Sequence, residues 1–143
     1  MIFRLLEKRT KNVLVLTMIG MLMGSTTHIL WVVRNGFLSD NYNVSLFSKI
    51  FWDSLTFLDP LAAILLILKP RIGVYLTLFI ILFDIVHNNL LHFDELYMNE
   101  IELKEWIVKY WMIMGQILYG LFVILTFRSN LNDINCKIRN QKF

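Results

Sequence analysis

Four long apolar runs divide the chain, and short polar stretches separate them. They cover residues 13–33, 51–68, 72–91 and 106–127. Each run approaches the roughly 20 residues that an α-helix needs to cross the hydrocarbon core of a membrane. None of them alternates apolar and polar residues as the strands of a membrane barrel do. The pattern therefore predicts an all-α protein, a four-helix transmembrane bundle with up-down-up-down topology, formed by a single integral membrane domain over residues 1–143.

The polar stretches differ in charge, and the difference predicts the orientation of the chain. Ten of the fourteen lysines and arginines fall in the N-terminus, in the turn between the second and third runs, or in the C-terminal tail: Arg4, Lys8, Arg9, Lys11, Lys69, Arg71, Arg128, Lys137, Arg139 and Lys142. Cytoplasmic segments of membrane proteins retain positive charge. The distribution predicts a multi-pass protein of the cell membrane with both termini in the cytoplasm. We expect the polar tail, 128–143, to be frayed, and the outer connection, 92–105, to form an amphipathic surface helix.

The composition supports the membrane assignment and excludes several functions. The chain is 57% apolar and 17% charged, whereas a soluble domain is about 45–50% apolar and about 25% charged. Its single cysteine, Cys136, excludes a disulfide scaffold and a cysteine-built zinc site. A phosphate-binding glycine loop and a basic face are both missing, so neither nucleotide chemistry nor a nucleic-acid partner is expected. The lipid bilayer is the expected partner.

Several ionisable and polar residues lie inside the apolar runs at a similar depth. Because each helical residue advances about 1.5 Å, His28, Asp84 and His87 are expected roughly 7, 4 and 8 Å outward of the bilayer centre. Asp59 and Gln116 are expected near the midplane. A charged side chain there costs about 2.5–3.5 kcal/mol on insertion scales, so these groups should face a partner or water. The pattern predicts one polar cavity that opens outward, above an aliphatic inner half.

The spacing of these residues indicates which helix faces line the cavity. Residues at i, i+3 and i+4 share a helix face, and a Gly-xxx-Gly pair such as Gly20 and Gly24 lets a neighbouring helix approach closely. The predicted ligand pocket consists of His28, Asp59, Asp84, His87, Asn88, Gln116 and Tyr119.

Three functions are compatible with such a pocket. The first is binding of a small amphipathic or lipid-like ligand. The second is membrane enzyme chemistry, in which Asp84 and His87 form an acid–base pair or a metal ion binds to His28, Asp59, Asp84 and His87. Haem ligation by His28 and His87 is a further variant, but the sequence identifies no cofactor.

The third function is structural. Asp53, Asp59 and Asp84 would then pair with nearby basic groups and fix the helix packing. The candidate basic partners are Arg34, Lys109, His28 and His87. The chain would act as an accessory subunit that binds a membrane partner, or it would form a homo-oligomer.

The stretch 51–88 carries the motifs W-x-S-L-T-x-L-D-P-L-A-A, K-P-R-x-G and D-x-x-H-N. With these motifs the chain resembles small, uncharacterised four-helix membrane proteins of bacteria, which implies a location in the bacterial inner membrane. Its layout is also similar to the DoxX-like proteins and to the EXPERA group, which includes sterol isomerases and the sigma-2 receptor. The EXPERA resemblance implies an intramembrane pocket of acidic and histidine residues for a lipid-like ligand.

Overall fold

A computed structural model of the chain describes residues 1–92 and 102–141. It is all-α, as predicted, and no strand occurs in the described residues. Within these residues, the α-helices are α1 (Lys8–Asn35), α2 (Leu46–Leu68), α3 (Pro70–His92), α4 (Leu103–Lys109) and α5 (Trp111–Asn140). Two short 3-10 helices, Ile2–Leu5 and Asp40–Tyr42, precede α1 and α2. All of the α-helices except the seven-residue α4 are long and apolar enough to cross a membrane.

The four long helices form a ring in which α1 packs on α2, α2 on α3, α3 on α5, and α5 on α1. One apolar cluster shows their relative directions, because it joins Leu14 near the start of α1, Leu66 at the end of α2, Val74 at the start of α3 and Ile134 near the end of α5. Consecutive long helices therefore run in opposite directions.

The outer surface of the ring is apolar. Val33, Leu90 and Leu125 are 77%, 72% and 80% exposed, and many leucines, isoleucines and phenylalanines on the long helices share this exposure. Soluble monomers rarely expose large contiguous apolar patches. The surface is suited to hydrocarbon, and the protein is a membrane protein.

The sequence predicted one helix over the fourth apolar run, 106–127, but the run does not form a single helix. The run is broken at Tyr110, whose backbone leaves the helical region (φ −111°, ψ 34°), so its first turn belongs to α4 and the remainder to α5. The expectation of a frayed tail is also wrong, because α5 continues to Asn140.

The extension of α5 is stabilised by the N-terminal segment. Leu6 belongs to the same apolar cluster as Ile134, and Ile138, one helical turn further along α5, packs against that cluster. The backbone N–H of Glu7 donates to Asp133 Oδ2 at 2.9 Å. The predicted outer surface helix falls largely on residues 93–101, which lie outside the described part of the chain. Beyond them, Trp106 Nε1 donates to the carbonyl of His92 at 2.8 Å and so joins α4 to the end of α3.

The connection between α1 and α2, which we call the loop cap (residues 36–45), covers one end of these helices. Gly36 ends α1 with a positive φ of 83°, a conformation that favours glycine. The ring of Tyr42 lies between those of Trp31 and Trp52, with centroid distances of 4.7 and 5.3 Å. Burial and a 2.8 Å hydrogen bond to Asp53 raise the pKa of Tyr42, so its hydroxyl remains protonated and donates.

Candidate functional site

A cavity of about 360 Å³ lies between α1 and α5, with α2 and α3 behind it. We call it the carboxylate cavity, because two aspartates form its polar floor. Its wall on α1 includes Gly20, Gly24, Thr27 and His28, and its wall on α5 includes Trp111, Met112, Gly115, Gln116 and Tyr119. Asp59 comes from α2, and Asp84 comes from α3 together with Ile80 and Ile81.

The two floor carboxylates differ in their partners. Asp59 and Asp84 are almost fully buried, with 5% and 6% of their surface exposed. Asp84 Oδ1 accepts a hydrogen bond from Asn88 Nδ2 at 2.9 Å. Asp59 lines the cavity as Asp84 does, but among the described residues no group donates a hydrogen bond to it. A buried carboxylate without a donor is energetically unfavourable, so Asp59 is suited to a donor that arrives with a ligand.

Asn88 holds the Asp84 side of the floor in place. Its Nδ2 donates to Asp84 Oδ1 and to Gln116 Oε1, both at 2.9 Å, and its Oδ1 accepts from Trp52 Nε1 at 3.0 Å. The amide thus uses both of its protons and its oxygen. This network joins α2, α3 and α5 and fixes the orientation of Asp84 and Gln116.

Small residues on α1 give the cavity its depth. A Cβ atom on Gly20 would overlap the ring of Tyr119, whose hydroxyl donates to the Thr17 carbonyl at 2.7 Å. A Cβ atom on Gly24 would lie 3.2 Å from Asp59 Oδ2. The predicted close approach at the two glycines therefore exists, but it is made by side chains from α5 and α2.

The cavity opens between α1 and α5. Its lining residues Met23, Trp111 and Met112 are 68%, 68% and 57% exposed. A Cβ atom on Gly115 would meet nothing within 4 Å. The mouth is thus apolar and lies on two helices long and apolar enough to span a membrane. The sequence predicted a polar cavity that opens outward, whereas the mouth of this cavity lies at the side of the bundle, between two helices.

Five of the seven predicted pocket residues line the cavity: His28, Asp59, Asp84, Gln116 and Tyr119. Asn88 is not among the lining residues, but it contacts two of them through hydrogen bonds. His87 lies elsewhere, among the rings of Phe47, Phe51, Trp52 and Phe83 at centroid distances of 4.9–6.3 Å. The reason is helical geometry: a residue at i+3 lies about 60° to one side of residue i, and a residue at i+4 about 40° to the other.

The position of His87 separates it from the groups that were predicted to act with it. Its ring packs against aromatic side chains of α2, whereas Asp84 lines the carboxylate cavity together with His28. Within residues 1–92 and 102–141, no group of three or more histidine, cysteine or acidic side chains is placed to hold a metal ion.

Within the described residues, Asp53, Asp59 and Asp84 do not form the predicted ion pairs with lysine, arginine or histidine. The ion pair found there joins Lys49 to Asp40, at the start of α2. Asp53 instead accepts hydrogen bonds from the backbone N–H of Leu38 and from the Tyr42 hydroxyl. Asp53 therefore fastens the loop cap to α2.

Three residues at the mouth, Met23, Trp111 and Gly115, were not among the predicted pocket residues. A spacing signal for two of them exists, because Trp111 and Gly115 are one helical turn apart and Gly115 adjoins Gln116. Met23 carries no such signal.

Comparisons of the chain with protein-family models, with curated proteins and with solved structures find no match in any of the three. The resemblance to DoxX-like and EXPERA proteins is therefore supported by no family match.

Proposed function

We propose that this protein binds a small amphipathic, lipid-like ligand in the carboxylate cavity. The observation that carries the proposal is the state of Asp59, which is 5% exposed, lines the cavity and receives no hydrogen bond within the described residues. The cavity volume of about 360 Å³ falls within the range usual for small-molecule sites. An apolar mouth above a polar floor suits a molecule with a tail and a head group.

The polar groups of the cavity favour a head group that donates hydrogen bonds. The two carboxylates accept, and the Tyr119 hydroxyl is already committed to the Thr17 carbonyl. The cavity lining described here contains no lysine or arginine. A protonated amine would supply both the missing donors and a compensating charge. We therefore propose an amphiphilic amine as the preferred ligand class.

The ligand would enter from the bilayer, through the gap between α1 and α5. Its tail would contact Met23, Trp111 and Met112, while its head reached Asp59. Lys8, Lys69 and Lys137 lie at the helix ends opposite the loop cap. By the positive-inside rule, we place that end and both termini in the cytoplasm and the cavity in the outer half of the cell membrane.

The test is a titration of the full chain in lipid nanodiscs with decylamine, decanol and decanoate, which share a chain length and differ in the head group. We expect decylamine to bind about 100-fold more tightly than the other two, a difference of about 2.7 kcal/mol. Asp59→Asn should abolish that preference. Gly115→Leu, which fills the mouth, should weaken the binding of any probe that enters the cavity. Partition of each probe into empty nanodiscs is measured as the background.

The titration distinguishes binding in the cavity from the preference for an amine. Equal binding of decylamine and decanol, lost in Gly115→Leu, would retain the cavity and refute the amine preference. If no probe binds to nanodiscs that contain the protein more strongly than to empty nanodiscs, the proposed function is refuted.

A further inference from the structure

A second, much smaller cavity lies on the other side of the Tyr119–Thr17 hydrogen bond, between α1, α3 and α5. Its volume is about 10 Å³, and four of its lining residues are polar: Thr17, Thr77, Thr126 and Asn130. We call it the threonine cavity. The sequence predicted an aliphatic inner half, so this polar cluster is unexpected there.

The hydroxyl groups of the threonine cavity fall into two kinds. Thr17 Oγ1 donates to the Val13 carbonyl and Thr126 Oγ1 to the Phe122 carbonyl, both at 2.8 Å. The protons of these two hydroxyls are used within their own helices, and their oxygens remain free to accept.

The Thr77 hydroxyl lacks such a bond. Thr77 is completely buried, at 0% exposure, and its Oγ1 has no hydrogen-bond partner among the described residues. Asn130 is 5% exposed and lines the same cavity. One hydroxyl donor, one amide donor and several acceptors therefore surround the same space.

We propose that the threonine cavity binds one water molecule that joins α1, α3 and α5. A water donates two hydrogen bonds and accepts two, which matches acceptors on Thr17 and Thr126 and donors on Thr77 and Asn130. The volume of about 10 Å³ is at the lower limit for one ordered water. An ion would bring a charge that no carboxylate of this cavity compensates.

This water would have a structural consequence for the carboxylate cavity. The contact between α1 and α5 is the least extensive of the four around the ring. Below the mouth, the hydrogen bond from Tyr119 to Thr17 joins the two helices directly. The water adds a second link on the same side and so gives the gap between α1 and α5 a fixed inner end.

Water-edited solid-state NMR of the full chain in liposomes tests the proposal directly. We expect magnetisation to pass from water protons to the methyl group of Thr77. The methyl groups of Leu66 are the control, since this residue is 0% exposed and belongs to an apolar cluster. Transfer to Thr77 that does not exceed transfer to Leu66 would overturn the proposal.

The variant Thr77→Val provides an independent test, because the sign of its effect depends on the water. If the water is bound, loss of the Thr77 hydroxyl that donates to it should lower the unfolding midpoint by about 2–4 °C. If the hydroxyl is unsatisfied, valine should raise the midpoint, which would refute the proposal. Thr26→Val is the matched control, since Thr26 is exposed and its hydroxyl donates to its own helix. A midpoint that rises specifically with sodium would show an ion in place of water.

Discussion

Two aspartates on α2 are buried to nearly the same extent but differ in the hydrogen bonds that they accept. Asp53 and Asp59 are 4% and 5% exposed and stand six residues apart. Asp53 accepts a backbone hydrogen bond from Leu38 and a hydroxyl hydrogen bond from Tyr42. Asp59 faces the carboxylate cavity and has no donor within the described residues. Burial by itself therefore does not show whether a carboxylate is held in place by the protein; the presence of a hydrogen-bond donor does.

The difference arises from the position of each residue along α2. Asp53 lies near the start of the helix, where the loop cap can return to it because Gly36 turns the chain out of α1. Asp59 lies in the middle of the helix, opposite Gly24. Backbone N–H groups at that level are engaged in helical hydrogen bonds. A donor for Asp59 must come from a side chain or from a ligand.

The largest expected effect is on stability, in Asp53→Ala. The variant removes the acceptor of two hydrogen bonds, each worth about 1.5–3 kcal/mol when one group is charged, so we expect a loss of about 3 kcal/mol or more. Decylamine affinity should change by less than about threefold, well under the 1.4 kcal/mol of a tenfold change. Reversible unfolding in detergent measures the first quantity and calorimetric titration the second. Wild-type stability in this variant would show that Asp53 does not hold the loop cap.

The next effect is on binding, in Asp59→Asn. We expect decylamine affinity to fall by about 100-fold, or about 2.7 kcal/mol. Stability should stay the same or increase, because the substitution removes a buried carboxyl group that receives no hydrogen bond from the described residues. Asp53→Asn is the matched control: it neutralises a carboxylate on the same helix and should leave binding intact. A loss of stability in Asp59→Asn as large as that in Asp53→Ala would assign Asp59 a structural role.

A smaller effect is expected from Gly115→Leu, which changes the mouth and leaves both aspartates in place. The new side chain starts in open space and extends into the mouth, so we expect binding to weaken about tenfold, or about 1.4 kcal/mol. Stability should not fall, since leucine is a better helix former than glycine by about 0.8–1 kcal/mol. In the control Gly120→Leu, the added Cβ overlaps Ile85, and stability should fall. Unchanged affinity in Gly115→Leu would place the ligand outside this mouth.

The smallest effect is expected at Asp40, whose ion pair with Lys49 lies at the surface end of α2. The hydrogen bond and the charge of Lys49 lower the pKa of Asp40. Any stabilisation is therefore present above the unfolded-state pKa of the carboxyl and is lost as the pH falls through the lowered value. Because Asp40 is fully exposed, Asp40→Asn should leave the unfolding midpoint at pH 7 unchanged within error. A clear drop, measured by thermal unfolding at pH 7, would contradict this.

The sequence predicted the ends of the first three long helices to within five residues, since the length of an apolar run is enough to identify a membrane span. It could not predict that α5 continues to Asn140, because that extension depends on contacts with Leu6 and the N-terminal segment. The break at Tyr110 also escaped prediction, as the apolar run continues through it.

For the candidate site, the sequence identified the residues of the floor better than the direction of the opening. Asp59 and Asp84 were found because carboxylates are rare inside apolar runs. His87 was assigned to the pocket because i+3 and i+4 neighbours of Asp84 look equivalent in a sequence, although they point to different sides of the helix. The mouth depends on which helices are neighbours in the ring, and apolar patterning does not encode that.

Native mass spectrometry of the protein, purified from its own membranes in a mild detergent, would show whether Asp59 holds a ligand. We expect a discrete added mass of one small amphipathic molecule on the wild-type chain and on Asp53→Asn, and its loss in Asp59→Asn. An adduct that persists in Asp59→Asn, or a bare chain in the wild type that also fails to take up added decylamine, would contradict this expectation.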